Sequence, residues 1–494
     1  PWVDMGAAAE KYNIKQPYLE LTIGTGGGFD LLKTEVLSTS FDDDGFETIR
    51  VKFGFSNDNG YEVTDILPEG LNCTIRNDLY PQHLNEETGF YEVVADLTVS
   101  GNDGKYTTNY PVKSVYYRRD SSSPKNSVRY SYGSYTSVNG SRILPISFYY
   151  PLTSFSDWDN LFVSDTSDWN FRIWGQDQEW DFLQTYTNAD GKAVYPNPVK
   201  AFTFTGKLDG TWYAKNADGV WEVQRDGSGN PQTHVLKNMW DYTINYTSAG
   251  KINSYSLVGY LFQRIEGEIT NLTFRDFSVG IERREHRAIR EMVPNQIGAE
   301  MDNPFGDGTV RRHRGGGDTF GVIRMLAKDA TINNVHLVNS IVAPDRYGAE
   351  YAGGLIGQTG NYVSIQNCST VDLKMISSTN ASHLAMGSIV GWAGNYVTLD
   401  HCFSAGLSIE TPVSTSKSFT AYGVGGLMGY GADSDTITSS YAGGKIKSEV
   451  LNTGGIVGRL SGTSEVSNVY AAMNVSTSTT NAAGMVASNE GTLE

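Results

Sequence analysis

Eight basic residues crowd one stretch of an otherwise acidic chain: Arg283, Arg284, Arg287, Arg290, Arg311, Arg312, His313 and Arg314. A planar guanidinium can grip an anionic oxygen pair through two parallel hydrogen bonds, so such a cluster can hold a polyanion such as an acidic glycan. The same stretch carries Glu282, Glu285, Glu291, Glu300 and Asp302, with which the arginines could instead pair as a solvated loop. Arg283, Arg284, Arg311, Arg312 and Arg314 are the candidates for ligand contact. A second set is aromatic: Trp212, Tyr213, Trp221, Trp240 and Tyr242. Flat apolar rings suit the faces of sugars, which nominates Trp212 and Trp221, although such rings also serve as half-buried strand partners.

Other chemistries find little footing. Asp42-Asp43-Asp44, Asp307, Asp433 and Asp435 sit among turn residues and could offer oxygens to calcium, which takes six to eight of them, but their spacing matches no known loop. Solvated turn aspartates are expected, and no metal site. Gly24-Thr25-Gly26-Gly27-Gly28-Phe29 imitates a phosphate loop, yet Phe29 stands where the last glycine belongs and no helix pattern follows. No Gly-x-Ser-x-Gly or His-Glu-x-x-His occurs, so neither catalytic residues nor a cofactor are assigned. Three cysteines give no disulfide framework. Cys368 and Cys402 are expected to be inward free thiols, because in-register neighbours rarely reach the dihedral a disulfide needs.

Composition narrows the partners. A formal net charge of −17 over 494 residues argues against nucleic acid and anionic membrane. Only 19% of residues are charged while glycine numbers 54 and tyrosine 29, a profile that fits an exported β-protein. No apolar run is long enough to span a membrane, so an integral membrane protein is not expected. No signal peptide is present, but a chain that begins at Pro1 without Met looks processed or truncated, so that absence carries no information.

The elements that would position these residues are announced by a repeat. Gly353-Gly354-Leu355-Ile356-Gly357, Gly387-Ser388-Ile389-Val390-Gly391, Gly425-Gly426-Leu427-Met428-Gly429 and Gly454-Gly455-Ile456-Val457-Gly458 share one frame. Degenerate copies surround Gly321 and Gly484. From Gly321 through Gly354, Ser388, Gly426 and Gly455 to Gly484 the intervals are 33, 34, 38, 29 and 29 residues. A second unit follows the glycine units: Ile269-Thr270-Asn271-Leu272, Ile332-Asn333-Asn334-Val335, Ile365-Gln366-Asn367-Cys368, Leu399-Asp400-His401-Cys402, Val466-Ser467-Asn468-Val469 and, as the weakest copy, Ile437-Thr438-Ser439-Ser440. Periods of this length mark stacked supersecondary units. Short strands pairing with those of the next repeat would pile Leu355, Ile389, Leu427 and Ile456 into an inward ladder and Asn334, Asn367 and Asn468 into a polar one at a turn. Glycines would suit the corners by reaching φ > 0 or by letting backbones approach. A β-sandwich with glycine-rich turns is the competing architecture.

The paired units resemble the GLUG repeat of large secreted and surface-anchored bacterial proteins, some of which carry a separate IgA-peptidase domain. The match runs from about 255 to 490. It implies an exported Bacteroidetes-like surface protein of the cell-adhesion or fimbria-associated kind, and brings no catalytic residues with it.

The whole chain then reads as all-β. Residues 1–16 form a tether, and 17–118 an N-terminal immunoglobulin-like β-sandwich of short alternating strands. A linker with some strands fills 119–164. A C-terminal right-handed β-solenoid takes 165–494, with an N-terminal cap, an inserted meander at 200–237 and the arginine-rich insertion at 282–317. The cap is expected from a short helix over Gln176–Tyr186, since a solenoid's first coil needs cover. Function is expected to be that of a non-enzymatic surface adhesin, outer-membrane-anchored or extracellular, binding a host-surface protein or glycan or fimbrial subunits. The alternative is a β-helix polysaccharide lyase or glycoside hydrolase, with Arg275, Asp276, Glu282 and Asp318 as the residues to inspect.

Overall fold

The structure is a computed structural model that describes residues 19–22, 29–57, 59–68, 74–100, 106, 108–131, 143–161, 167–246, 252–282, 311–312, 319–344, 350–377, 384–411, 423–477, 481–490 and 492–493. The expected tether lies outside them. The described chain is nearly all β, with one short helix, Phe155–Asp159. It divides into two compact units, Pro1–Pro151 with Trp169–Phe171, and Leu152–Asp168 with Arg172–Glu494.

In the first unit two five-stranded sheets bury a common core. One joins Phe29–Phe41, Glu47–Asn57, Phe90–Ser100, Thr74–Leu79 and His83–Asn85, all antiparallel. The other joins Glu62–Pro68, Thr108–Arg118, Val128–Ser131 and Ile143–Ser147 in antiparallel pairs, with Leu19–Thr22 parallel to Val128–Ser131. Two-residue alternation decides the faces. Ile49, Val51 and Phe53 are buried, while Arg50 between them forks onto Asp96 at 2.7 and 2.8 Å. The segment after 118 supplies two strands to the second sheet, because Val128 and Tyr130 are buried on alternate positions. Its Ser, Tyr and Asn content conceals that alternation.

The second unit is a parallel stack. Leu208, Ile269, Ile332, Ile365, Leu399, Ile437 and Val466 are successive Cα partners in parallel pairs, and none is more than 1% exposed. Phe262, Ile323, Ile356, Val390, Met428 and Val457 form a second buried column. Leu355, Ile389, Leu427 and Ile456 are buried as expected, each donating its amide to a carbonyl of the following repeat. Each fully buried aliphatic side chain contributes about 1.5–3 kcal/mol of transfer free energy, so the columns hold the stack together.

The framing glycines serve close approach rather than positive φ. Gly426 lacks left-handed geometry, but a Cβ there would lie 2.0 Å from the Gly455 carbonyl oxygen of the next repeat. Left-handed corners belong to other residues. Asn271, Asn334, Asn367, His401, Ser439 and Asn468 all have φ between 50° and 55°, and Asp276, Asn339 and Asp372 form a second such column. Asparagine and aspartate tolerate this region because their short polar side chains bond locally. A third column includes Tyr362 and Tyr396, both at φ 59°.

Two expectations need correction. Gln176–Tyr186 is not a helix: Glu179–Asp181 is a strand in parallel register with His234–Lys237, and Trp180 and Phe182 are buried at a two-residue interval. The helix instead is Phe155–Asp159, whose N-cap Ser154 accepts from the Asp157 amide while Trp158 is buried. The inserted meander is also narrower than 200–237. Lys200–Phe204 and Lys207–Asp209 pair in parallel with the next repeat, and so does His234–Lys237. Asp209 faces Thr270 and His234 faces Leu272, so the intervening Gly210–Thr233 replaces the single corner residue Asn271.

Candidate functional site

That replacement projects a hairpin from the stack, Tyr213–Lys215 against Trp221–Val223. Trp212 and Trp221 are half-buried in it. One side of Trp221 meets Trp174 at 4.7 Å between ring centroids, and Lys215 Nζ lies 5.3 Å from its ring. Trp212 donates its indole N–H to the Gln176 carbonyl at 3.1 Å. Trp240 and Tyr242 do not join them: at 0% and 3% exposure they are core residues, stacked on each other at 5.3 Å. An open five-ring platform is therefore not formed, because apolar area was better buried than displayed.

Of the arginine cluster, Arg283, Arg284 and Arg314 lie outside the described residues. Arg311–Arg312 forms a short strand antiparallel to Ile281–Glu282, with Arg311 opposite Glu282. Asp318 is likewise outside. Arg275 reaches Glu179 at 2.8 Å and its neighbour Asp276 at 3.6 Å, and Lys237 reaches Glu179 at 3.1 Å and Asp181 at 3.5 Å. Charged groups of adjacent repeats thus neutralise one another, and Glu179 is held below the usual carboxylate range chiefly by its bond from Lys237, with Arg275 adding to it.

A polar chain that sequence reasoning missed runs along the stack. Arg172 pairs with buried Asp209 at 2.9 Å, and Asp209 accepts from the Thr211 hydroxyl at 2.6 Å. Asn271 donates to Thr211 at 2.8 Å and accepts from Asn334 at 2.9 Å. The Asn334 amide oxygen lies 2.8 Å from His336 Nε2, and His336 Nδ1 lies 2.8 Å from the Ser369 hydroxyl. Following donors along the chain, His336 donates from Nε2 and accepts the serine proton at Nδ1. This has the form of a base-activated serine. The surroundings oppose that use: Ser369 is 3% exposed, and burial pulls the imidazole down to about 4, leaving a poor base at neutral pH. The chain ties repeats together. Its signal was available in the sequence, since His336 and Ser369 are one repeat apart.

The aspartates separate. Asp433 accepts from the Thr463 amide at 2.7 Å in an exposed turn. Asp435 is instead buried, at 1% exposure, accepting from the Val397 amide at 2.9 Å, and burial pushes its carboxyl up to about 7. Asp241 is buried too, and also pushed up to about 7 by desolvation. Among the described residues no group of three or more His, Cys, Asp or Glu could hold a metal ion. Cys368 and Cys402 are buried free thiols, with Cys368 pushed well up by burial.

The stack also carries aromatic side chains in register on its outer side. Tyr362 and Tyr396 stack at 4.7 Å with planes 2° apart, Phe403 and Tyr441 at 5.0 Å and 6°, and Trp392 and Tyr430 at 6.2 Å and 12°. Each pair occupies equivalent places in adjacent repeats, a spacing visible in the sequence but not used there. Among the described residues no helix is long and apolar enough to cross a membrane. No protein-family model matches the chain, and no curated protein matches it.

Proposed function

We propose that this chain is a non-enzymatic bacterial cell-surface protein, adhesin-like and exported, that binds host or glycan ligands through the outer faces of its repeats. The first unit is read as an immunoglobulin-like β-sandwich and the second as a right-handed β-solenoid of GLUG-type repeats. The observation that carries the reading is the in-register display of aromatic pairs along the parallel stack. Such a surface offers rings, hydroxyls and amides to a ligand at a regular spacing of about 4.8 Å. The partner is a glycan or a host-surface protein; fimbrial subunits are the assembly alternative.

A glycan array probed with the purified chain at low and physiological salt tests this, beside an Arg311/Arg312/Arg314 triple-alanine variant. Binding to acidic glycans that weakens with salt and disappears in the variant assigns recognition to the arginine-rich insertion. Binding that persists in the variant assigns it to the aromatic faces. Absence of binding both to glycans and to host-cell surfaces refutes the proposal, and release of unsaturated products from a polysaccharide would favour the lyase reading instead.

A further inference from the structure

The second buried column has one exception. Lys200 is the Cα partner of Phe262, whose successors in the column are Ile323, Ile356, Val390, Met428 and Val457. Where every later repeat buries an apolar side chain, this one buries an amine, 3% exposed. Packing does not call for it, and burying an ammonium is costly unless it is paired and hydrogen-bonded. Among the described residues Lys200 has neither an ion pair nor a hydrogen bond; its Nζ rests 5.4 Å from the centre of the Trp158 ring.

One charged group acts on that amine, the carboxyl of Asp159 at the end of the helix Phe155–Asp159. Asn197 ties the two places together. Its N–H donates to Asp159 Oδ1 at 2.7 Å and its carbonyl accepts the Trp158 indole N–H at 3.2 Å, so one residue holds both the carboxyl and the ring beside the amine. The other carboxyl oxygen, Oδ2, accepts from the Tyr186 hydroxyl at 2.5 Å. Trp158, Phe182 and Phe262 pack together there, none more than 1% exposed, and keep water away. Burial raises the Asp159 carboxyl and lowers the Lys200 amine to about 8, moving both groups toward their uncharged forms. An uncharged amine is a nucleophile, and an uncharged carboxyl with a hydrogen bond on each oxygen is polarised to receive it. Asn197 Oδ1 is buried with no partner, an acceptor that lacks a donor.

We infer that Lys200 and Asp159 join in an intramolecular amide, a covalent staple between the helix and the strand Lys200–Phe204. The flexible four-carbon stem of the lysine carries the amine from the Trp158 ring to the carboxyl of the next residue. The ammonium passes a proton to the carboxylate, and Nζ attacks Cγ. The C–N bond forms, the C–O bond breaks and one water leaves, while the Tyr186 O–H and the Asn197 N–H stabilise the oxyanion of the tetrahedral intermediate. Ammonium and carboxylate become amide and water, and no other reactant is needed. Two charges that the apolar column cannot solvate disappear, and the new N–H is a donor of the kind Asn197 Oδ1 lacks. Cys368 and Cys402 are free thiols, so the amide would be a cross-link of a different kind, one that no reductant opens.

Intact-mass spectrometry of the purified full chain, unfolded in acid, is the test. The wild type is expected to weigh one water less than its sequence, and Lys200→Met and Asp159→Ala each to have the full mass of theirs. A protease digest of the wild type should give a branched peptide pair joined between Lys200 and Asp159, with no cleavage after Lys200. The wild-type measurement stands whether or not either variant folds. A wild-type chain of full sequence mass overturns the inference. So does a missing water that survives Lys200→Met or maps to other residues, since an aspartate can also lose water to its own backbone.

Discussion

Valine placed at two glycines of neighbouring segments should give opposite results, and the contrast tests the account of why the repeats are glycine-rich. At Gly426 the new Cβ would lie 2.0 Å from the Gly455 oxygen and 2.7 Å from the Ala442 Cβ. The equivalent place one repeat earlier holds Ser388, fully buried, so a Cβ can be fitted there. The Ser388 amide bonds the Gly426 oxygen at 3.4 Å, one position beyond the acceptors Gly387 and Ala483 that Gly354 and Gly455 reach at 3.1 and 3.2 Å, so the fit goes with a shifted inter-repeat bond. Valine carries two γ-carbons where serine carries one γ-oxygen, into a site without solvent. Overpacking of this kind costs about 1–3 kcal/mol, and a loss in that range is expected for Gly426→Val. At Gly443 the same side chain enters open space on a strand, where valine is favoured, and stability should stay level or rise by up to about 1 kcal/mol. Tryptophan-fluorescence denaturant melts of both variants decide the matter. A loss below about 0.5 kcal/mol at Gly426, or equal losses at both sites, would refute close backbone approach as the reason for the framing glycines.

Asp435 gives a pH dependence. Its folded carboxyl titrates at about 7, above the ordinary value of 3.8, so the folded state holds a proton that the unfolded state releases. Stability from this group is therefore fully present below about pH 4 and is lost as pH rises toward 7, by up to about 4 kcal/mol at 1.36 kcal/mol per pH unit. Asp435→Asn should lessen that decline in melts taken from pH 4 to 8, leaving the part contributed by Asp241, which is raised to about the same value; an unchanged slope would rule the group out. Asn367, at φ 53°, should accept glycine with little change, whereas alanine should cost about 1 kcal/mol more than glycine. Equal melting of the two variants would remove the left-handed corner as the reason for the asparagine.

Much of the second unit was legible because a repeat shows each structural demand several times. Ile332, Ile365, Leu399 and Ile437 differ in type but not in place, and only an inward column explains that. The left-handed corners were half legible. Asn334, Asn367 and Asn468 announce one, but Tyr362 and Tyr396 in the same backbone region do not, because tyrosine has no local preference for it and tertiary pairing imposes the conformation. Gln176–Tyr186 misled for the opposite reason. Its polar residues fit a helix locally, while the inward pull on Trp180 and Phe182 comes from strands more than fifty residues away. The first unit's later strands, Val128–Ser131 and Ile143–Ser147, fall where a linker with some strands was expected, but their pairing with Thr108–Arg118 was hidden by a composition that reads as linker.

The candidate site was less legible, and the cause is physical. A sequence shows which residues are chemically able; whether they are free to act depends on neighbours contributed by other repeats. Arg275 and Glu179 are able but spend their charge on each other, Trp240 is able but buried, and Ser369 is activated in form yet covered. Function is best sought among residues that the fold does not require. Gly443, where an added Cβ would meet nothing nearer than 3.9 Å, is such a residue.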